Sequence, residues 1–121
     1  MEDKLEPNMY VRLNCNYALG IGKTIGEIDE DNFIKTKFKD GFECSLPTYM
    51  IKKASHNIVD LLEVGDYVNG YPVYETIEYP DNTRAIVIAD DNKSIIWEES
   101  SQYIKSIVTK EQFESMKYEV K

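Results

Sequence analysis

The sequence repeats itself approximately, and this repeat restricts the folds that the chain can adopt. Five short stretches recur in the same order and at similar spacing: Tyr10-Val11 with Tyr67-Val68, 22–27 with 70–75, Asp31-Asn32 with Asp81-Asn82, the turn at Asp40-Gly41 with that at 90–92, and 49–52 with 102–105. Ordered self-similarity of this kind indicates a duplicated structural unit. We therefore predict a first small unit over 9–55, a short helical connector over 56–63 and a second unit over 64–121.

Each copy consists of short segments rich in Ile, Val, Tyr and Thr that are bounded by turn residues, a pattern typical of strands. In residues 33–38, Lys35 and Lys37 alternate with apolar residues and threonine, which predicts a strand with one face in water. Asp40-Gly41 then suits a hairpin turn. The predicted fold is mainly β: two tandem small SH3-like or Tudor-like barrels, or one merged sheet, with a short connecting helix and a short C-terminal helix.

The C-terminal helix has the clearest local signal. Thr109 is followed three residues later by Gln112, which is the spacing of a capping box. We predict a helix over 110–116 whose side chains Phe113 and Met116 dock on the second unit.

The net charge of −8 is unevenly distributed. Residues 1–56 carry eight Lys and Arg against nine Asp and Glu, whereas residues 57–121 carry six against thirteen. Binding to nucleic acid usually depends on cations that neutralise phosphates, so this balance disfavours it. A basic protein surface would be attracted instead, although ordinary solubility also accounts for many acidic surfaces.

The sequence predicts a protein that remains in the cytosol. No apolar run approaches the roughly 20 residues of a membrane span, and the acidic residues 1–8 lack the apolar core of a signal peptide. Cys15 and Cys44 belong to no CxxC or Cys/His cluster, so zinc is not expected and each cysteine is interpreted as a buried or half-buried small apolar residue.

The sequence offers little support for catalysis or for a bound cofactor. His56 is the single histidine, and no pattern supplies the positioned partner that a general acid or base needs. Nucleophile-elbow, P-loop and zinc-protease motifs are missing, and Gly20-Ile21-Gly22 lacks the third glycine and the following helix of a dinucleotide loop. We therefore expect no enzyme activity, no cofactor and no metal.

The candidate binding residues are carboxylates and tyrosines of the second copy. Two acidic pairs flank one predicted hairpin and would form an acidic patch able to occupy a basic groove on another protein. Tyrosine is common among interface residues because it is large, rigid and polar-tipped, although strand propensity also favours it. The predicted partner-binding residues are Asp90, Asp91, Glu98, Glu99, Tyr71, Tyr74 and Tyr79.

Two stretches carry a resemblance to a known family: 53–71 (KASHNIVDLLEVGDYVNGY) and 104–118 (IKSIVTKEQFESMKY). They resemble a family of short proteins encoded by phages and prophages of Gram-positive bacteria, clostridia especially. The likeness covers the second half well and the first half loosely. It implies that residues 1–8 are a mobile extension and that the protein acts inside a bacterial host, but it implies no functional residues.

The resemblance and the acidic second half together favour a phage protein that inhibits or redirects a host protein by occupying a basic surface. A nucleic-acid-binding defence effector such as a CRISPR effector is one candidate partner, as for anti-CRISPR proteins. The alternatives are a non-inhibitory modular interaction or regulatory protein, and a tandem-barrel nucleic-acid binder. The last would use the lysines of the first unit: Lys23, Lys35, Lys37, Lys39, Lys52 and Lys53.

Overall fold

The computed structural model describes residues 5–14, 20–39 and 41–116, and for Ser115 and Met116 only the backbone. The expectations for Cys15, for Asp40 and for the side chain of Met116 lie outside this described part. The chain divides into two compact units, 1–57 and 58–121. Both are mainly β, with few and short helices.

The first unit is a five-stranded antiparallel sheet with the order β4-β3-β2-β1-β5. A single 3₁₀ turn, Thr48–Met50, precedes the last strand. The strands are β1 (Tyr10–Leu13), β2 (Ile21–Thr24), β3 (Phe33–Lys37), β4 (Glu43–Pro47) and β5 (Ile51–Ser55).

The second unit is also a five-stranded antiparallel sheet, with the order β10-β6-β7-β8-β9. A 3₁₀ segment, Glu98–Tyr103, comes shortly before its last strand, and the helix α1 (Lys110–Met116) follows that strand. The strands are β6 (Tyr67–Val68), β7 (Tyr71–Glu78), β8 (Arg84–Ile88), β9 (Ile95–Trp97) and β10 (Ile107–Val108).

The two units share one strand order, with a four-strand meander whose first strand also pairs with the fifth. Tyr10 and Tyr67, matched in the sequence, both begin the first strand of their unit. Asn32 and Asn82, also matched, both adopt positive φ (65° and 71°) in the turn between the second and third strands. The internal repeat is therefore present in the fold.

One of the sequence matches shifts by a single residue in the structure. Val11 lies opposite Gly22, and its counterpart Val68 lies opposite Tyr71. Gly22 therefore corresponds to Tyr71 and not to Gly70. Gly70 instead forms a two-residue turn with Asn69, both at positive φ (86° and 54°), which is the conformation that favours Asn-Gly in tight hairpins.

The alternation predicted for residues 33–38 is confirmed. Ile34, Thr36 and Phe38 are buried, whereas Lys35 and Lys37 are exposed. Burying every second residue packs one face of the sheet and leaves the other in water. Phe38 forms a core cluster with Leu13 and Leu46, and the half-buried Cys44 and Ile51 pack against these three side chains.

The second unit is organised around the buried strand β8 and a buried carboxylate. Asp66 is fully buried, and its two oxygens accept hydrogen bonds from the backbone N–H groups of Glu63 (2.7 Å) and Lys110 (2.9 Å). Since Lys110 is the first residue of α1, Asp66 fixes the start of the helix to the segment before β6.

The capping box predicted for this helix is confirmed. The Thr109 N–H donates to the Gln112 amide oxygen (2.9 Å), and the Gln112 N–H donates to the Thr109 hydroxyl (3.2 Å). Phe113 stacks on the Tyr67 ring with a centroid separation of 4.9 Å, which docks the helix on β6 as expected.

The connecting helix and the barrels predicted from the sequence are only partly observed. The helical connector predicted over 56–63 is a single 3₁₀ turn, Ile58–Leu61, whose residues Val59 and Leu61 are buried, and a second turn at Val64-Gly65 then leads into β6. The predicted barrels are observed as two five-stranded sheets. Within the described residues, no strand pairing joins the two edge strands of either sheet, so closure into a barrel is not observed.

No helix among these residues is long and apolar enough to cross a membrane.

Candidate functional site

The hairpin between β7 and β8 fixes the position of Tyr79. The Tyr79 N–H donates to the Thr83 carbonyl (3.0 Å), and the Asn82 N–H donates to the Tyr79 carbonyl (2.9 Å). The Asp81 carboxylate accepts hydrogen bonds from the Thr83 hydroxyl (2.6 Å) and N–H (3.1 Å), which lower the pKa of Asp81. This turn is therefore closed by its own backbone and side chains, and it keeps a charged carboxylate beside Tyr79.

Trp97, at the end of β9, is held in place although its side chain is 41% exposed. Its N–H donates to the Ser100 hydroxyl (2.9 Å), and that hydroxyl donates to the Trp97 carbonyl (3.2 Å). The indole N–H also reaches the Tyr79 hydroxyl at 3.3 Å. An aromatic side chain positioned in this way loses little conformational freedom when a ligand covers it.

Tyr79 and Trp97 lie in an open groove of about 690 Å³, which we call the acidic groove. It is lined by Tyr79, Pro80, Asp81, Thr83, Arg84, Trp97, Glu98 and Glu99. Three of these residues are carboxylates, and the one cation among them, Arg84, donates from one guanidinium nitrogen to the backbone carbonyls of Val59 (3.1 Å) and Asp60 (2.7 Å). Two aromatic rings thus lie among carboxylates.

A second groove, of about 510 Å³, shares Trp97 with the first. Its lining residues are Asn69, Ile88, Asp90, Ser94, Ile95, Ile96, Trp97, Ser100 and Tyr103. The side chains of Ile95 and Tyr103 are 41% and 64% exposed, so this groove offers apolar surface to solvent.

The structure separates the four carboxylates that the sequence grouped into one patch. Glu98 and Glu99 line the acidic groove, whereas Asp90 lines the second groove and Asp91 is exposed in the turn. The Asp90 carboxylate accepts hydrogen bonds from the Ser94 hydroxyl (2.7 Å) and N–H (2.9 Å), which lower its pKa. Asp90 therefore serves the β8–β9 turn.

The three predicted tyrosines also lie in different places. Tyr79 is in the acidic groove, whereas Tyr71 and Tyr74 are exposed on β7 (43% and 46%) and do not line either groove in the described structure. The Lys93 ammonium lies over the Tyr74 ring, 6.0 Å from its centroid. The sequence analysis did not include Trp97 among the candidate binding residues. Its position directly before the acidic pair Glu98-Glu99 was a local signal that could have identified it.

The first unit places three lysines side by side on the exposed face of its sheet. Lys23 lies opposite Lys37 across β2 and β3, and Lys35 follows on the same face of β3. The Lys23 ammonium lies over the Tyr10 ring at 5.2 Å. Like charges on directly opposite strand positions destabilise a sheet slightly, so this arrangement has a cost.

Residues with catalytic potential are not gathered into a site in the described structure. His56 is exposed, with its Nε2 2.9 Å from a Glu6 carboxylate oxygen. Burial raises the pKa of the Cys44 thiol, which disfavours the reactive thiolate. No group of three or more potential metal ligands occurs among the described residues.

Comparisons with protein-family models, with curated proteins and with solved structures give no match for this chain.

Proposed function

We propose that the protein is an acidic binding protein that takes up a basic segment of a partner protein in the acidic groove. The observation that carries this proposal is the position of Trp97 and Tyr79, an exposed and a half-buried ring joined by a hydrogen bond and set among Asp81, Glu98 and Glu99.

The chemistry of the groove favours a cationic side chain. An Arg or Lys over a tryptophan face gains about 0.5–2 kcal/mol, depending on how well it is desolvated. Glu98 and Glu99 are exposed on the first turn of the following 3₁₀ segment, where they meet the charge of a ligand lying on Trp97. The groove is also within the size range of about 300–1,000 Å³ that is typical of binding pockets.

The charge of the second unit supports the same partner class. Residues 58–121 carry thirteen Asp and Glu against six Lys and Arg. Such an imbalance attracts basic surfaces over a distance and accelerates their association, more at low salt than at high salt.

The biological setting of the proposal comes from the phage-like stretches 53–71 and 104–118. A phage protein with this groove would bind a host protein that has a basic surface, such as a nucleic-acid-binding defence effector, and block or redirect it.

We also propose that each unit is an SH3-like barrel. The shared five-strand order and the 3₁₀ segment before each last strand support this assignment, and nuclear Overhauser contacts between the two edge strands would test it.

A pull-down from host lysate tests the proposed function. The chain should capture a dominant protein that stays bound after nuclease treatment and is released by high salt. The E98K/E99K variant should lose this protein, whereas E75K/E78K, which reverses two exposed carboxylates of β7, should retain it. Undiminished capture by E98K/E99K would show that the acidic groove is not the binding site.

The lysines of the first unit support a second candidate function, binding to nucleic acid. Lys23, Lys35 and Lys37 share one exposed sheet face and, among the described residues, form no ion pair. Phe33 is exposed on the same strand face and could stack on a base. A gel shift at low salt that disappears with K23E/K37E would favour this function.

A non-inhibitory interaction module remains the other alternative. Its complex would depend mainly on apolar contacts and would survive high salt, so the salt wash of the same pull-down distinguishes it from the charge-driven inhibitor.

A further inference from the structure

We infer that the ligand is an extended segment that places an arginine in the acidic groove and an apolar side chain, two residues away, in the second groove. This inference rests on the proposed function and specifies its ligand.

Trp97 connects the two grooves, because it lines both. Ile95 and Trp97 are exposed on one face of β9, and Ile96 between them is buried. Side chains two residues apart on a strand are about 6.7 Å apart, and the same repeat applies to an extended ligand. A segment lying along β9 therefore presents alternate side chains to Trp97 and to Ile95.

The acidic groove suits arginine better than lysine. A guanidinium is planar and stacks flat on an indole, and its fork of N–H donors can engage two carboxylate groups at once. Glu98 and Glu99 provide adjacent carboxylates beside the Trp97 ring. Lysine would supply the charge but neither the flat contact nor the paired geometry.

The second groove suits an apolar side chain. Three of its lining residues, Ile95, Trp97 and Tyr103, are exposed apolar or aromatic residues. The carboxylate in its lining, Asp90, already accepts hydrogen bonds from Ser94 and from the Asn92 N–H. An apolar ligand atom there covers aromatic and aliphatic surface without competing for that carboxylate.

At Trp97 the ligand is recognised through side chains, because the backbone N–H and C=O groups of this residue already form hydrogen bonds within the protein. β9 is an edge strand, and in principle an edge strand can add another strand from a partner. However, the N–H and C=O of Trp97 are both occupied by the Ser100 hydroxyl. A ligand main chain cannot extend the ladder at Trp97 without displacing Ser100.

The test is a fluorescence titration with short synthetic peptides. Trp97 is the only tryptophan of the chain, so its emission reports directly on both grooves. The probe is the blocked peptide Gly-Ser-Arg-Gly-Leu-Ser-Gly, compared with versions in which Arg becomes Lys or Ala, or Leu becomes Ser. We expect the dissociation constant to rise about tenfold for Ala at the Arg position, about fivefold for Lys there, and about tenfold for Ser at the Leu position.

Two protein variants assign each effect to a groove. E98Q/E99Q should weaken the preference for Arg over Ala, since only the Trp97 face and Asp81 then act on the cation, and should keep the preference for Leu over Ser. Y103A should weaken the preference for Leu over Ser and keep the preference for Arg over Ala. E75Q/E78Q is the matched control and should bind all four peptides as the parent protein does. Circular dichroism confirms that each variant is folded.

The outcomes separate this inference from the proposed function. If the Ser peptide binds as tightly as the Leu peptide while the preference for Arg remains, the second subsite is refuted and the proposed function stands. If the Ala peptide binds as tightly as the Arg peptide and E98Q/E99Q changes nothing, both are refuted. If Arg and Lys peptides bind equally, the groove recognises charge alone and the arginine assignment fails.

Discussion

Asp66 shows how much one side chain contributes to the second unit. Its carboxylate is fully buried and accepts hydrogen bonds from two backbone N–H groups that belong to separate segments. A buried carboxylate is tolerated only when its oxygens are satisfied, so Asp66 and these two donors depend on one another.

Replacing Asp66 with alanine leaves the N–H groups of Glu63 and Lys110 without this acceptor inside the unit. We expect D66A to lower the free energy of unfolding by about 2–4 kcal/mol, since each buried group deprived of its partner costs about 1–3 kcal/mol. Urea unfolding followed by Trp97 fluorescence measures the change. The exposed Asp91 is the matched control, and D91A should stay within about 0.5 kcal/mol of the parent protein. Equal stability of D66A and D91A would show that the Asp66 hydrogen bonds contribute nothing.

Gly22 is a second residue whose identity is dictated by its surroundings. A Cβ at this position would lie 2.7 Å from an atom of the Phe38 ring and 2.8 Å from the Thr36 methyl group. At Gly26 the nearest atom would be 4.0 Å away, which is ordinary contact. The two glycines therefore form a natural pair for comparison.

We expect G22A to destabilise the first unit by about 1–3 kcal/mol, because the added methyl group overpacks the core around Phe38. G26A should have little effect. Thermal melting followed by far-ultraviolet circular dichroism compares the two variants. A melting temperature for G22A equal to that of G26A would mean that the core relaxes at no cost.

At the scale of elements, the β8–β9 turn depends on an ionised carboxylate. Hydrogen bonds from the Ser94 hydroxyl and N–H hold the pKa of Asp90 below its ordinary value of 3.8. A carboxyl whose pKa is depressed by folding stabilises the folded state above the unfolded pKa. That contribution is lost as the pH falls through the lower, folded pKa.

We therefore expect the turn to be stable near neutral pH and to weaken as the pH falls below about 3.8. Proton resonances of the Ser94 N–H, followed from pH 6 to pH 2, should shift with the Asp90 titration. In D90N the amide oxygen stays neutral, so the pH-dependent shift should disappear. A shift of the same size in D90N would assign the effect to another carboxyl group.

Local patterns allowed several elements to be predicted from the sequence. The Thr109–Gln112 capping box specified α1, and the alternation around Lys35 and Lys37 specified β3, because each depends only on neighbouring residues. The connector was predicted too long because burial of Val59 and Leu61 shapes it, and burial is a property of the whole unit.

The candidate site was harder to predict for the same reason. Tyr79 and Trp97 are 18 residues apart and meet only because β9 pairs with β8 in one particular register. Composition and spacing do not set that register; the turn lengths and the buried face do. The acidic residues were recognisable individually, but their division between two grooves was not.

At the scale of the whole molecule, the chain uses one strand order twice and gives the two copies different surfaces. The first unit exposes lysines on β2 and β3, and the second exposes carboxylates and aromatic rings around β9. Because exposed positions contribute little to stability, a duplicated sheet can diverge in surface chemistry while its buried pattern is retained.

The connection between the first two strands differs in length between the copies. The first unit uses residues 14–20 there, and the second uses only Asn69 and Gly70. The architecture thus accommodates a loop of variable length at this point, and the entropic cost of a longer loop rises slowly.

A Gly-Ser insertion of about six residues after Gly70 should therefore lower the free energy of unfolding by only about 1 kcal/mol. Urea unfolding measures this change, and loss of folding on insertion would contradict the prediction. Since Asn69 borders the second groove, loops grafted there would offer a way to engineer new specificity into the protein.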